Sequence, residues 1–276
     1  MDDSRDQVPD DAARLAGYVD VWWQACDDFT TLLERVPAER WSTPTDLPGW
    51  DVHAVIAHTA HLEAVLAGAP EETVAIGEPS HVRGVHGAYT EQGVVARRDR
   101  TPDELITEIR ESTTTRHTAL LSDPPTDASA RPERIFGGVP WTWERLLRNR
   151  PLDVWMHEQD VRRALGLPGG LDSAPARHTA DYLTESLGLV VGKRVAPAPR
   201  TTVLLEVAGS PARAVVVGDD GRAQQVAPPS DPTVWLRLDR EDFIVLAGGR
   251  RAPSSARVEG DQELGHRVLG AFAVTP

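Results

Sequence analysis

The sequence predicts an α+β protein of two domains, a four-helix bundle over residues 11–168 and a small α+β domain over residues 172–276. Three observations carry this reading. Apolar residues recur at three- and four-residue steps through four separate segments of the first part, the signature of helices with one buried face. Beyond Pro197-Ala198-Pro199, a stiff linker, the period falls to two, which is that of strands. A chain of 276 residues is also long for one core and comfortable for two.

In order, residues 1–10 read as a frayed tail. Leu15, Val19, Trp22, Cys26, Phe29 and Leu33 then mark a helix from Asp11 to Arg35. A turn-rich connection, Pro37 to Asp46, leads to a second helix that Asp51 caps and Gly68 ends. Residues 69–100 hold Pro70, Gly77, Pro79, Gly84 and Gly87 and read as an irregular segment able to cover a pocket mouth. Thr101-Pro102-Asp103-Glu104 opens a third helix that runs to Leu121, with an early proline and acids in its first turn. After a polar loop, Thr142 caps the fourth helix, whose apolar face carries Leu146, Val154, Val161 and Leu165 and which stops at Pro168-Gly169-Gly170. The second domain opens with a helix over Ala176 to Lys193. Strands are expected over Thr201 to Val207, Ala212 to Val217 and Pro232 to Leu238, and helices over Asp239 to Ala247 and Asp261 to Phe272.

Composition narrows the function classes. A net charge of −13 sets most of the surface against phosphate backbones, so nucleic acid is an unsuitable partner. No run approaches the roughly eighteen apolar residues of a membrane span, and the acidic, polar start is unlike a signal peptide, so a cytoplasmic protein with no membrane partner is expected. The single cysteine, Cys26, lies in an apolar helical pattern and reads as a buried small hydrophobe.

Chemistry concentrates in the fourth helix. Asp153 and His157 stand four residues apart, hence one turn above each other on the same face. That spacing suits a hydrogen-bonded pair as well as two ligands of one divalent cation. His58, among Val55, Ile56, Ala57 and Leu62 in the second helix, points inward; alone it would be a satisfied core histidine, but opposite Asp153 and His157 it completes three ligands. His53, in the first turn of that helix, is expected to be exposed. His61, one turn from His58, is a candidate general base or spare ligand. Asp160, one turn from His157, and Arg163, nearly a turn further on, are candidates to orient it or, for the arginine, to meet an anionic substrate, with helix-surface pairing as the alternative. Glu158 and Gln159 are further candidates to support a ligand. Trp50 and Trp155 read as core anchors, His81 and His86 as exposed residues, and Arg213 and Arg237 as arginines able to reach a carboxylate in the bundle's pocket.

The run Pro48-Gly49-Trp50 with His58 eight residues after the tryptophan, followed by Asp153-x-x-x-His157-Glu158-Gln159-Asp160, resembles the mycothiol-dependent maleylpyruvate isomerase family. The likeness extends to the closing Val258-Glu259-Gly260-Asp261 and Val274-Thr275-Pro276. The resemblance implies a DinB-like four-helix bundle followed by a sterol-carrier-protein-2-like α+β domain. It also implies a divalent metal, usually zinc, between the second and fourth helices, held by His58, Asp153 and His157. In the family pattern the carboxylate is a glutamate, and Asp153 is one methylene shorter.

Two histidines and a carboxylate leave at least one position of such an ion open, as in a catalytic rather than a structural zinc site. An open position can bind a thiol and favour its thiolate. The resemblance implies mycothiol as the cosubstrate, with thiol transfer to, or thiol-assisted isomerisation of, a small electrophile. His61, Asp160 and Arg163 are the residues expected closest to that chemistry. Water in the open position would instead make a hydrolase, and a metal that only stiffens the bundle would leave a non-catalytic small-molecule-binding protein. The partners expected are therefore a small-molecule substrate and a low-molecular-weight thiol, with the chain a monomer or homodimer.

Overall fold

In the computed structural model, which describes residues 10–275, the chain divides into two compact units between Gly169 and Gly170. The tail expected over residues 1–10 lies outside the described residues except for Asp10, whose side chain accepts a hydrogen bond from the Ala13 amide and caps the first helix.

The first unit contains α1 (Asp11–Leu33), α2 (Val52–Ala67), α3 (Gly84–Ala96), α4 (Pro102–Ser122) and α5 (Trp143–Leu165). Helices α1, α2, α4 and α5 form the bundle. Each begins with a side-chain cap: Asp10, Asp51, Thr101 in a reciprocal capping box with Glu104, and Thr142. Gly68 and Gly166 end α2 and α5 in the left-handed conformation that glycine adopts without strain. Leu146, Val154, Val161 and Leu165 are buried on α5, as their spacing predicts. Helix α2 is the hub, buried from Val52 to Leu66 except at His53.

Residues 69–83 are irregular as expected, and helix α3 corrects that expectation over Gly84–Ala96. Gly84, Gly87 and Gly93 lower its intrinsic propensity, each by about 1 kcal/mol against alanine, so the local signal is poor. Packing overrides it, because Gly93 lets α3 close onto α2: a Cβ there would lie 2.3 Å from the His61 ring.

The second unit carries α6 (Ala174–Thr184), α7 (Leu187–Leu189) and a π-turn over Val190–Val195, then β1 (Thr202–Val207), β2 (Arg213–Val217), β3 (Ala223–Val226), β4 (Val234–Leu238), α8 (Arg240–Ala247), β5 (Arg257–Gly260) and α9 (Gln262–Gly270). The expected single helix over Ala176 to Lys193 thus breaks after Thr184, where Ser186 and Gly188 weaken it. The sheet order is β3-β2-β1-β4-β5, with β1 and β4 parallel and the other pairs antiparallel. The central strands bury the apolar residues that marked them in the sequence, among them Val203, Leu205, Val215 and Leu236. The two strands not foreseen, β3 and β5, are polar edges with little buried surface and hence no alternation to read.

Gly93→Ala is expected to destabilise the first unit. Overpacking a closed site costs about 1–3 kcal/mol, against about 1 kcal/mol gained in helix propensity. The net loss should appear as a lower denaturant midpoint, and an unchanged or higher midpoint would show that the His61 ring can move aside.

Candidate metal centre

The bundle brings together His58 from α2 and Asp153 and His157 from α5. His58 and His157 are 4% and 6% exposed, while the Asp153 side chain keeps 22% of its surface. His58 Nε2 lies 3.7 Å from Asp153 Oδ2, and His157 Nε2 lies 3.8 Å from Asp153 Oδ1. One donor atom from each of the three falls within 4.8 Å of the others. These gaps exceed hydrogen-bond length. Each histidine is measured to a different oxygen of Asp153, and the gaps are near the roughly 3.3–3.6 Å between donors bound tetrahedrally to one ion at about 2.0–2.2 Å. The two imidazole rings meet edge to face at 4.8 Å.

Neighbouring groups fix which atoms face the gap. His157 Nδ1 is 3.1 Å from Asp160 Oδ2, so a proton on Nδ1 donates to that carboxylate and Nε2 keeps its lone pair toward Asp153. Arg163 donates to Asp160 Oδ1 at 2.5 Å and to Asp46 Oδ2 at 2.8 Å, tying the pair to the loop before α2. Glu158 instead accepts from Arg162 at 2.6 Å, and Gln159 donates to the Gly169 carbonyl at 3.1 Å. Neither reaches the cluster through these bonds.

Asp153 is held ionised. Burial raises its pKa, but the Arg150 guanidinium and the two imidazoles outweigh that and keep the carboxyl well below the usual range. Burial lowers the pKa of His58, with Asp153 working the other way, so the neutral, ligating form is favoured.

Several residues stand elsewhere than expected. Trp50 is a half-buried wall of the cluster rather than a core anchor, with its rings 5.0 Å from His58 and 6.3 Å from His157. Its Nε1 donates to Glu91 Oε2 at 2.9 Å, the oxygen that also lies 3.1 Å from His81 Nε2, so His81 is engaged and not free in solvent. His86 is exposed and Trp155 fully buried, as expected. His53 is half-buried, with its Nε2 2.9 Å from the Arg100 carbonyl oxygen. In the second unit Arg213 donates to Thr184 at 2.7 Å, and Arg237 to Glu206 and Glu259 at 3.1 and 2.9 Å.

His61 differs most from its expected role. The ring has no exposed surface, lies between Gly93 and Tyr89, and neither nitrogen has a hydrogen-bond partner among the described residues. Burial, helped by the charge of Arg97, lowers its pKa to about 3. The sequence reading also missed Glu63 and Arg150, both with no exposure, joined at 2.7 Å and linked to Asp153 through Arg150 at 2.9 Å. The available signal was Glu63 itself, the one carboxylate among the largely apolar residues of α2, which must be paired if buried.

Fold and site thus define a two-domain α+β protein whose helical bundle presents a two-histidine, one-carboxylate cluster. The family model for the mycothiol maleylpyruvate isomerase N-terminal domain matches residues 22–162, and that for the C-terminal domain of the same group matches residues 177–267. The chain belongs to this family. An uncharacterized protein of Mycobacterium tuberculosis, from two strains, is 28% identical over 263 residues, covering 91% of this chain and 93% of the relative. Crystal structures of the mycothiol-dependent maleylpyruvate isomerase and of a variant of it share the fold, each with a TM-score of 0.53, 15% identity, and coverage of 92% of this chain and 94% of theirs.

Acid should destabilise the metal-free protein partly through His61. Its folded pKa of about 3 lies below the ordinary 6.5, so in that window the unfolded chain binds a proton that the folded one refuses. Stability is therefore lost as pH falls from 6.5 towards 3. His61→Phe is expected to flatten that part of a stability-against-pH curve, and an unaltered slope would mean that His61 titrates normally in the fold.

Proposed function

We propose that this protein is a metal-dependent enzyme that uses a low-molecular-weight thiol, mycothiol, for thiol transfer to, or thiol-assisted isomerisation of, a small electrophile. His58, Asp153 and His157 are the proposed ligands of a divalent ion of the zinc type. One observation carries the reading: three donors from two helices face one another across gaps too long for hydrogen bonds and suited to a shared cation. Family membership supplies the thiol and the reaction class.

An ion held by three protein donors has a position left for a further ligand, and its charge favours the thiolate of a bound thiol near neutral pH. The protein's own groups do the rest. Asp160 holds the His157 tautomer that points Nε2 inward, and Arg163 holds Asp160. Both act as positioning residues. Trp50, fixed by Glu91, walls the cluster beside both imidazoles. His61 is read here as packing between α2 and α3: enclosed, and with a pKa of about 3, it makes a poor proton carrier near neutrality.

The purified protein is expected to hold one divalent ion per chain, read by elemental analysis, and to turn over maleylpyruvate only when mycothiol is present. His58→Ala and His157→Ala should each lose metal and activity together, because two remaining ligands seldom retain zinc. His53→Ala should leave both nearly unchanged. Full occupancy in His157→Ala would remove the ligand assignment, and thiol-independent turnover would make the enzyme a hydrolase instead.

A further inference from the structure

We propose that the buried Glu63–Arg150 pair is a positioning device for this centre, committing one oxygen of Asp153 to the protein and leaving the other as the sole oxygen donor to the cation. The inference rests on the ligand assignment above and adds a role for two residues outside it.

Arg150, on the turn of α5 before Asp153, has no exposed surface, so its fork has no freedom to relax into solvent. Its Nε and one terminal nitrogen donate to Glu63 Oε1 at 3.0 and 2.7 Å, and its other terminal nitrogen donates to Asp153 Oδ2 at 2.9 Å. A planar guanidinium engaged on both sides cannot turn without breaking charge-assisted bonds at one end. Glu63 is pinned in turn: Trp22 of α1 donates to Oε1 at 3.1 Å, and Arg116 of α4 donates to Oε2 at 3.3 Å. The four bundle helices thus meet at one carboxylate, and the only route from it to the metal cluster runs through Arg150 among the bonds described.

Two consequences follow for Asp153. Both oxygens border the cluster, Oδ2 3.7 Å from His58 Nε2 and Oδ1 3.8 Å from His157 Nε2, but Oδ2 already accepts from Arg150, so Oδ1 is the oxygen left to an incoming ion. A bare guanidinium so close to a metal site would repel the cation. Glu63 offsets that charge, so Asp153 keeps its own negative charge for the ion. Packing alone needs neither feature, since a buried pair can be replaced by apolar groups with little loss of stability.

The test uses full-length protein loaded with Zn²⁺ or Co²⁺. X-ray absorption of the wild-type zinc protein should show a monodentate carboxylate, and a bidentate one overturns the proposal. The double variant Glu63→Gln/Arg150→Met removes both charges of the pair, while the new amide oxygen can still accept from the buried Arg116. It is expected to bind Co²⁺ about 10–100-fold more weakly and to show altered visible bands, because Asp153 becomes free to chelate through both oxygens. Arg150→Lys keeps the charge but cannot span Glu63 and Asp153 at once; it should change the bands in the same direction and serves if the double variant does not fold. Wild-type affinity and spectrum in whichever variant folds would overturn the proposal while leaving the ligand assignment intact. Failure of that assignment looks different: the wild type takes up no Co²⁺, or His157→Ala takes it up equally well.

Discussion

Glu63 is the one carboxylate between Val52 and Ala67, and it has no access to water, so the surrounding helices have to deliver its partners. Leaving such a group unpaired costs about 3–5 kcal/mol, a large part of a domain's net stability. Trp22, Arg116 and Arg150 answer that demand from α1, α4 and α5. The contact also sets a register. From Glu63 back to His58 is five residues, about 7.5 Å along α2. From Arg150 forward to the midpoint of Asp153 and His157 is again five residues, about 7.5 Å along α5. Antiparallel neighbours locked at Glu63–Arg150 therefore bring His58 level with Asp153 and His157. The ion pair does not touch the gap between the imidazoles, but it joins the two helices at the register that sets His58 against Asp153 and His157.

That gap is electrostatically prepared from two sides. Arg150 keeps Asp153 ionised against the pull of burial. Asp160, itself held by Arg163, takes the Nδ1 side of His157. Burial disfavours a charge on His58, and the His157 ring 4.8 Å away works in the same direction. An ionised carboxylate beside the inward Nε2 of His157 and a neutral His58 is the arrangement on which the proposed cation site rests.

How much of this was legible in the sequence depends on whether the signal was local. Helices α1, α2, α4 and α5 announced themselves through caps and periodicity, and Asp153 with His157 through their spacing on one helix. Helix α3 was hidden because its glycines serve a tertiary contact, Gly93 against His61, that no local pattern reports. Strands β3 and β5 were hidden because polar edge strands bury too little to alternate. Glu63 and Arg150 lie 87 residues apart, so the sequence shows an anomalous acid in an apolar helix but not its partner. Trp50 was misread for a related reason: an aromatic residue before a helix signals packing, and only the fold shows Glu91 of α3 turning its indole toward the imidazoles.

The length of the carboxylate also finds a physical reason in this arrangement. Asp153 and Arg150 are three residues apart on α5, a spacing at which side chains lie over adjacent turns. A short aspartate stays close enough to its own helix for the guanidinium on the previous turn to reach Oδ2 at 2.9 Å while Oδ1 still faces His157. One more methylene would carry the carboxylate past Arg150 and further into the space between α2 and α5. It would loosen the bond to the buried arginine and spend rotamer freedom to hold the same position. The shorter side chain suits a site in which the acid is fixed by the bundle before any ion arrives. The buried Glu63–Arg150 pair and the short aspartate thus meet in one bonded chain, Glu63 to Arg150 to Asp153.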